Sequence, residues 1–429
     1  MNELETGAGF SVESIPAHKH VSKSVSFTQR AVLAAFEKMT EGELRLTLPD
    51  GSTRIFGSPD SEITAAMRVR HPAFFTKCLL YGDIGFAESY MDGDWETASI
   101  RDVIAWAILN VEKPAAAGGS SMRSLALNFL QFANRLRHLL RPNTRRTSRK
   151  NIEAHYDLGN DFYRLWLDPT MTYSSARFTA QDQSLESAQA AKYEALCQQL
   201  RCRPGDHLLE IGCGWGGFAS HAAREHGCHV TGITISPAQH HFATARIQRE
   251  GLAGLVSIEL CDYRELTGTY NKIVSIEMME ALGDRYLPIF CAQLDRLLSP
   301  RGLAALQFIT VPDARHRELR RGVDFIQKHI FPGSLLLSVG RVNEMMNRTG
   351  DLFLHHLEDL GAGYARTLHQ WWQNFNAQEP AVRALGFDTR FIRKWNYYLQ
   401  YCEAAFAMRN VSVVQAVYTR PNNPILRTL

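Results

Sequence analysis

Hydrophobic and polar positions along the chain change rhythm twice. Residues 27–39 carry apolar side chains at helical spacing and predict a helix. Two strand-like runs follow, ELRLTLP at 43–49 and STRIFG at 52–57, on either side of the turn dipeptide Asp50-Gly51. The aromatic-rich segments 62–79 and 83–110 read as mixed helix and loop. A small-residue stretch, PAAAGGSS at 114–121, reads as a linker. Beyond residue 151 apolar strand candidates recur at 207–212, 228–234, 256–261, 272–277 and 302–310, with helical stretches between them. That alternation predicts a doubly wound parallel sheet of the α/β class. From about Pro312 the chain reads as helix-rich, and it closes on a strand-like run, VSVVQAVYTR, at 411–420. The expected organisation is a smaller N-terminal α+β region over 1–113, a linker and basic helix over 114–150, and the α/β domain over 151–429.

Composition narrows the class. With 429 residues and 45% apolar content the chain can bury a sizeable core in two domains. A charged fraction of 21% speaks against wholesale disorder, and the net charge of +3 is small. No apolar run reaches the roughly 18 residues of a membrane span. The N-terminus, MNELETGAGF, has acids and no apolar core of a secretory signal, so the expectation is a cytoplasmic protein. Cysteines 78, 197, 202, 213, 228, 261, 291 and 402 form no CxxC pair and lack zinc-finger spacing with histidine. They read as reduced, mostly buried thiols, and no metal is expected.

Charge placement matters more than its total. Residues 123–150 carry eight Lys or Arg and no acid, and Leu125, Leu127, Phe129, Leu130, Phe132, Leu136, Leu139 and Leu140 give the same segment an apolar helical surface. One reading is a helix lying on anionic lipid with its basic tail among the headgroups; the other is an ordinary connecting helix with a solvated end. No nucleic-acid-binding motif accompanies the basic patch, so a nucleic-acid partner is not expected.

The strongest motif lies at residues 208–217, Leu-Leu-Glu-Ile-Gly-Cys-Gly-Trp-Gly-Gly, on a strand-to-helix turn. Glycines there let the backbone turn tightly and approach a ligand, and the absence of a following Lys-Ser/Thr excludes a P-loop. The GxGxG spacing with an acid two residues ahead resembles the class I S-adenosylmethionine-dependent methyltransferases, whose cofactor has a carboxylate, an ammonium and a sulfonium but no phosphate. Glu210 can meet the ammonium end, while the amides of Gly212, Cys213 and Gly214 and the helix N-terminus suit the carboxylate. Thr234, Ile235 and Ser236 end the second strand, where such a fold contacts the ribose, and Asp262 and Tyr263 follow the third, where the adenine is held.

A narrower resemblance rests on several stretches in order. They are His155-Tyr156-Asp157-Leu158-Gly159-Asn160-Asp161-Phe162-Tyr163, Met171-Thr172-Tyr173-Ser174-Ser175, Leu185-Glu186-Ser187-Ala188-Gln189, residues 210–217, residues 232–236 with Gln239, Asp262-Tyr263-Arg264, and residues 397–406. Together they resemble the cyclopropane-fatty-acyl-phospholipid synthase and mycolic acid methyltransferase family over nearly the whole length. The resemblance implies methyl transfer from S-adenosylmethionine to the double bond of an unsaturated acyl chain in membrane phospholipid, forming a cyclopropane through a carbocation. It implies that Tyr173 and Ser174 close over the methionine end of the cofactor and that Gln239 helps hold the ribose side. The N-terminal region would be lipid-associated, and the protein peripheral at the inner face of the membrane. A homodimer is compatible with the helix-rich C-terminus.

A carbocation calls for a dry aromatic slot and one base. Candidate lining residues are Phe178, Tyr364, Trp371, Trp372, Tyr397 and Tyr398, with plain core packing as the alternative. Family members use bicarbonate as the base. Glu280, Ile309 and Tyr364 match its ligands, whereas the family Cys is Ser175, one His is Ala281 and a second His is Gln307. Ser175 and Gln307 can still donate to an anion through hydroxyl and amide. Glu277 stands where the family has a small Gly, and its carboxylate is itself a candidate base. Cys402 matches a cysteine regarded as an active-site residue, although methyl transfer to an alkene needs no covalent enzyme adduct. These departures leave a methylene- or methyl-branched product as the runner-up. A soluble small-molecule methyltransferase and a non-catalytic lipid-binding protein are the remaining alternatives.

Overall fold

The computed structural model describes residues 26–111, 158–319 and 324–426. The leader, the 114–121 linker, the basic segment 123–150 and the start of the His155 motif lie outside the described residues.

Seven strands form the larger sheet: β5 (His207–Ile211), β6 (His229–Thr234), β7 (Val256–Leu260), β8 (Tyr270–Ile276), β9 (Leu298–Thr310), β10 (Phe353–Asp359) and β11 (Ser412–Thr419). Their order is β10-β11-β9-β8-β5-β6-β7. The five strands β5 to β9 pair in parallel, and β11 runs antiparallel between β9 and β10. Helices Gly217–His226 and Pro237–Arg249 carry the chain from β5 to β6 and on to β7. The chain then returns to lay β8 on the other side of β5. That reversal puts the topological switch point at the C-terminal ends of β5 and β8, where ligands enter open α/β sheets. The doubly wound α/β expectation holds. Edge strand β10 was read as part of a helix-rich stretch: its FLHHLED sequence faces solvent along much of its length, so the apolar alternation that marks a strand is weak.

In the N-terminal region, β1 (Glu43–Thr47) and β2 (Thr53–Gly57) form the expected hairpin across Asp50-Gly51. Strand β3 (Thr64–Val69) pairs in parallel with β1, and the short β4 (Trp95–Glu96) pairs with β3. Sequence reading placed β3 in mixed helix and loop, yet Ala65, Met67 and Val69 are buried in strict alternation. Ala66 on the outer face and the small Ala65 on the inner one blur that alternation in the sequence. Helix Ala73–Met91 runs past Gly82, whose backbone departs from helical geometry.

This region is fastened to the helix Thr389–Ala407 of the C-terminal section. Gln400 Oε1 accepts from the backbone of Ile100 at 2.8 Å, at the start of helix Ile100–Val111. Arg393 donates to the carbonyls of Tyr90 and Trp95, at 2.5 and 2.8 Å, and its guanidinium lies 4.0 Å from the Tyr90 ring centre. One apolar cluster continues from Val32, Leu46 and Trp106 to Trp371, Trp395 and Leu399. Among the described residues no helix is long and apolar enough to cross a membrane.

Candidate active site

The turns after β5 and β8 meet beneath a cavity of about 1010 Å³. Glu210 lies near the end of β5, is 3% exposed, and has a buried Oε2 without a hydrogen-bond partner. Burial pushes its carboxyl well above the usual range, while the Ala219 amide, Lys192 and Arg246 pull it down. Gly212 has a φ of 83°, and a Cβ there would come within 2.9 Å of the Met278 side chain on the β8 turn. Gly214 has a φ of 53° and open space where its Cβ would lie, so a ligand can approach the bare backbone. An orphaned carboxylate oxygen, a glycine turn and the N-terminus of helix Gly217–His226 fit the amino-acid end of S-adenosylmethionine.

The next wall comes from β6 and β7. Thr234 donates to Gln239 Oε1 at 2.9 Å, and both line the cavity with Ile235. Ser236 has a different job: its hydroxyl accepts from the Gln239 amide at 3.3 Å, capping helix Pro237–Arg249, and it does not line the cavity. Asp262 and Tyr263 do line it. Arg264 grips Asp262 Oδ2 at 2.5 Å, so a motif residue without an assigned role orients that carboxylate. The Tyr263 hydroxyl is buried without a hydrogen-bond partner.

Tyr173 and Ser174 form another part of the wall. Helix Leu185–Gln199 holds this segment: Gln189 Nε2 donates to the Ser174 carbonyl at 3.0 Å and Lys192 Nζ to the Ser174 hydroxyl at 2.7 Å. Lys192 is completely buried, and desolvation pulls its ammonium down to about 7 against the opposing charges of Glu277, Asp168 and Glu210. Sequence reading missed it, although it stands three residues past the quoted Gln189.

At the centre is Glu277, at the end of β8 with a φ of 48°, in the left-handed region. Its Oε1 accepts from the Ser175 backbone amide and from Gln307 Nε2, each at 2.8 Å, and its Oε2 accepts from the Tyr364 hydroxyl at 2.7 Å. The Gln307 amide has a fixed orientation because its carbonyl oxygen accepts from Gln415 Nε2 at 3.0 Å. Burial raises the Glu277 carboxyl, and the three donors and Lys192 lower it. Glu280 lies beside it, half-buried. Its Oε1 accepts from the Ile309 amide at 2.5 Å, its Oε2 has no hydrogen-bond partner, and desolvation with the Glu277 charge lifts it to about 8.

Several expectations need correction. The Ser175 hydroxyl turns to the Ala176 carbonyl at 3.3 Å, and the backbone amide is the group that faces an anion. Tyr364, Tyr397, Tyr398 and Cys402 line the cavity, whereas Phe178, Trp371 and Trp372 do not. Trp371 is core, packed on Trp166 and Tyr173; Trp372 donates to Asn396 at 2.7 Å; Phe178 lies under Arg366. Burial raises the Cys402 thiol far above its ordinary value, which leaves little thiolate. All eight cysteines are free. Ligand atoms of Cys197, His221 and His226 converge within 4.8 Å, but Glu194 Oε2 already sits 3.2 and 2.9 Å from the two imidazoles.

The sheet order, the glycine turn at its switch point and the orphaned acid beside it define an S-adenosylmethionine-dependent methyltransferase. Residues 143–416 match the family described as mycolic acid cyclopropane synthetase, and the chain belongs to that family. It is 35% identical over 392 residues to the tuberculostearic acid methyltransferase UfaA1 of Mycobacterium tuberculosis, covering 89% of this chain and 88% of that protein. The cyclopropane-fatty-acyl-phospholipid synthase of Escherichia coli is also 35% identical, covering 83% of this chain and 88% of its own. Among solved structures, the cyclopropane synthase MmaA2 of Mycobacterium tuberculosis matches with a TM-score of 0.60 at 29% identity, over 63% of this chain and 98% of that one. The cyclopropane synthase CmaA1 complexed with SAH and CTAB matches with the same score and coverage.

Proposed function

We propose that this enzyme methylates the cis double bond of an unsaturated acyl chain in membrane phospholipid and uses Glu277 as its base. The observation that carries the reading is one cavity whose wall includes the Glu210 turn, aromatic and apolar side chains, and Glu277 in the grip of Tyr364. When bound, S-adenosylmethionine supplies an electrophilic methyl group. Glu210 and the amides of 212–214 hold its amino-acid end, Thr234 and Gln239 face its ribose, and Asp262 and Tyr263 face its adenine.

An alkene that takes up a methyl group becomes a carbocation. The rings of Tyr173, Phe331, Tyr364 and Tyr398 line the cavity and offer π faces to such a charge while excluding water. Glu277 then accepts a proton. If that proton leaves the new methyl group while the charge is on the neighbouring carbon, its C–H electron pair closes a cyclopropane. If a hydride first shifts from the methylated carbon to the cation, the same proton loss makes a methylene branch, and loss of a chain proton leaves a methyl-branched alkene. The groups that the family resemblance assigns to bicarbonate are otherwise engaged here: Tyr364, Gln307 and Ser175 grip Glu277, and Ile309 grips Glu280. This favours an internal carboxylate over bicarbonate. Two acids with different surroundings also divide their roles: three donors favour the charged form of Glu277 against the desolvation that raises it, whereas Glu280, lifted to about 8, holds a proton at neutral pH.

Cyclopropanation is the first reading of the product. The branched alternative has its own support, because a relative from Pseudomonas putida, 36% identical over 284 residues, is named a probable fatty acid methyltransferase. We place the enzyme peripherally on the inner face of the cell membrane, with the basic segment 123–150 against anionic lipid. The test is expression of the enzyme in cells, followed by lipid extraction and mass spectrometry of the fatty acid esters. A gain of one CH2 on monounsaturated chains is expected, with retention time and fragmentation separating ring from methylene. Unchanged lipids, with cofactor binding intact, would overturn the proposal.

A further inference from the structure

A second cluster of chemistry-bearing side chains lies outside the cavity, where helix Leu185–Gln199 packs on helix Gly217–His226. Glu194 and Cys197 stand three residues apart on the first helix, which puts them on one face. His221 and His226 come from the second. The Tyr193 ring packs on Phe218 and His221, at centroid distances of 5.7 and 5.9 Å, and fixes how the helices meet. Cys197 Sγ and one ring nitrogen of each histidine lie within 4.8 Å of one another. Glu194 Oε2 is 3.2 Å from His221 Nε2 and 2.9 Å from His226 Nε2, and its Oε1 accepts from Gln198 Nε2 at 2.8 Å. Cys197 is fully buried and the two imidazoles are half-buried.

We propose that Cys197, His221 and His226 bind one zinc ion, with Glu194 as their acidic partner, and that the ion clamps the two helices together. A thiolate with two imidazoles is a zinc donor set, and water completes the tetrahedron. The ligand atoms of such a site lie roughly 3.2–3.6 Å apart, so groups already within 4.8 Å close on an ion with shifts of about 1 Å. The Cys197 thiolate and the Glu194 carboxylate balance the dication, as a half-buried site requires. The Glu194 contacts do not compete with it. Each imidazole has two nitrogens and can hold the ion on one while donating to a carboxylate from the other, the common support of a zinc-bound histidine. On binding, the Cys197 thiol gives its proton to solvent. The sequence shows no zinc-finger spacing because these ligands come from two helices and meet only where those pack. Helix Leu185–Gln199 holds Ser174 through Gln189 and Lys192, and helix Gly217–His226 begins at the glycine turn. An ion between them braces the frame of the cofactor site from outside.

The test takes the full chain, treated with a chelator, and adds cobalt(II) chloride and then zinc chloride. One cobalt per chain is expected, with a thiolate-to-cobalt charge-transfer band in the near ultraviolet and the visible bands of a four-coordinate ion, all bleached by zinc. At a hundredfold excess over Kd, zinc should raise the melting midpoint by about 3 °C. Replacing both histidines, His221→Gln with His226→Gln, should abolish this uptake while S-adenosylmethionine binding in metal-free buffer stays at the wild-type level. If that double variant fails to fold, the loss of the charge-transfer band in Cys197→Ala decides. No uptake by the wild-type chain would overturn the site. So would uptake without the thiolate band, or equal uptake by the double variant, since either puts the ion elsewhere.

Discussion

Tyr364 donates its hydroxyl proton to Glu277 Oε2 across 2.7 Å, joining the helix Gly361–Ala377 to the left-handed turn at the end of β8. A half-buried carboxylate with three donors is held in one orientation, and those donors favour its charged form against the desolvation that raises it.

Glu277→Gln should remove the base and lower turnover by about 10²–10⁴-fold, with S-adenosylmethionine affinity unchanged. Tyr364→Phe leaves two donors in place. Losing one hydrogen bond to a charged group is worth about 1.5–3 kcal/mol, so a tenfold to hundredfold loss at neutral pH is expected. The missing donor raises the Glu277 carboxyl further above its ordinary value, so the acid limb of the pH–rate profile should move to higher pH. A limb that stays in place would show that Tyr364 does not tune the base.

Glu277→Gly tests the same site from the other side. A side chain at a φ of 48° costs about 1–2 kcal/mol that glycine avoids, so this variant should fold without loss of stability. It also frees the Ser175 amide, Gln307 and Tyr364 to hold a small anion. Turnover in carbonate-free buffer should be nearly abolished and partly restored by added bicarbonate, whereas Glu277→Gln should not respond. Equal behaviour of the two variants would argue against this account of the site.

Glu280 makes stability depend on pH. Its carboxyl is lifted from 4.5 to about 8 in the fold, so the folded state keeps a proton that the unfolded chain releases between those values. Its contribution is full below about pH 4.5 and is lost as pH rises through about 8. Glu280→Gln keeps an acceptor for the Ile309 amide and removes the titration. Urea midpoints should therefore favour the variant increasingly between about pH 5 and about pH 8.5. Parallel curves for wild type and variant would contradict this.

Glu210→Gln should weaken S-adenosylmethionine binding by about 10–100-fold, the worth of one charge-assisted hydrogen bond of about 1.5–3 kcal/mol. The same change removes an acid whose burial disfavours its charge, so the ligand-free protein should unfold at a higher temperature. Calorimetry and thermal melts read the two effects separately, and an unchanged affinity would remove Glu210 from the cofactor site.

The glycine turn was legible because its chemistry is local: Glu210, Gly212 and Gly214 sit on one strand-to-helix turn, and their spacing alone specifies what they can hold. The hairpin at Asp50-Gly51 and the buried strands β5, β6 and β8 were equally plain, since a turn signal and an unbroken apolar run need no partner to be recognised. Strand β3 was not read, because the adjacent alanines 65 and 66, one inward and one outward, blur an alternation that only pairing with β1 makes meaningful. The aromatic residues divided only in three dimensions. Trp371 and Tyr364 share a helix, yet one is sealed in the core and the other faces the cavity.

Sequence by itself determined the α/β architecture, the cofactor turn and the identity of the acids, through periodicity and spacing along the backbone. Folding decided which groups meet. Ser175, Glu277, Gln307 and Tyr364 come from four separate segments, and whether Ser175 offers its hydroxyl or its amide depends on backbone direction at that one point. The N-terminal wall of the cavity was likewise a tertiary outcome, because an apolar helix face reads the same in sequence whether it packs on a neighbour or borders a space.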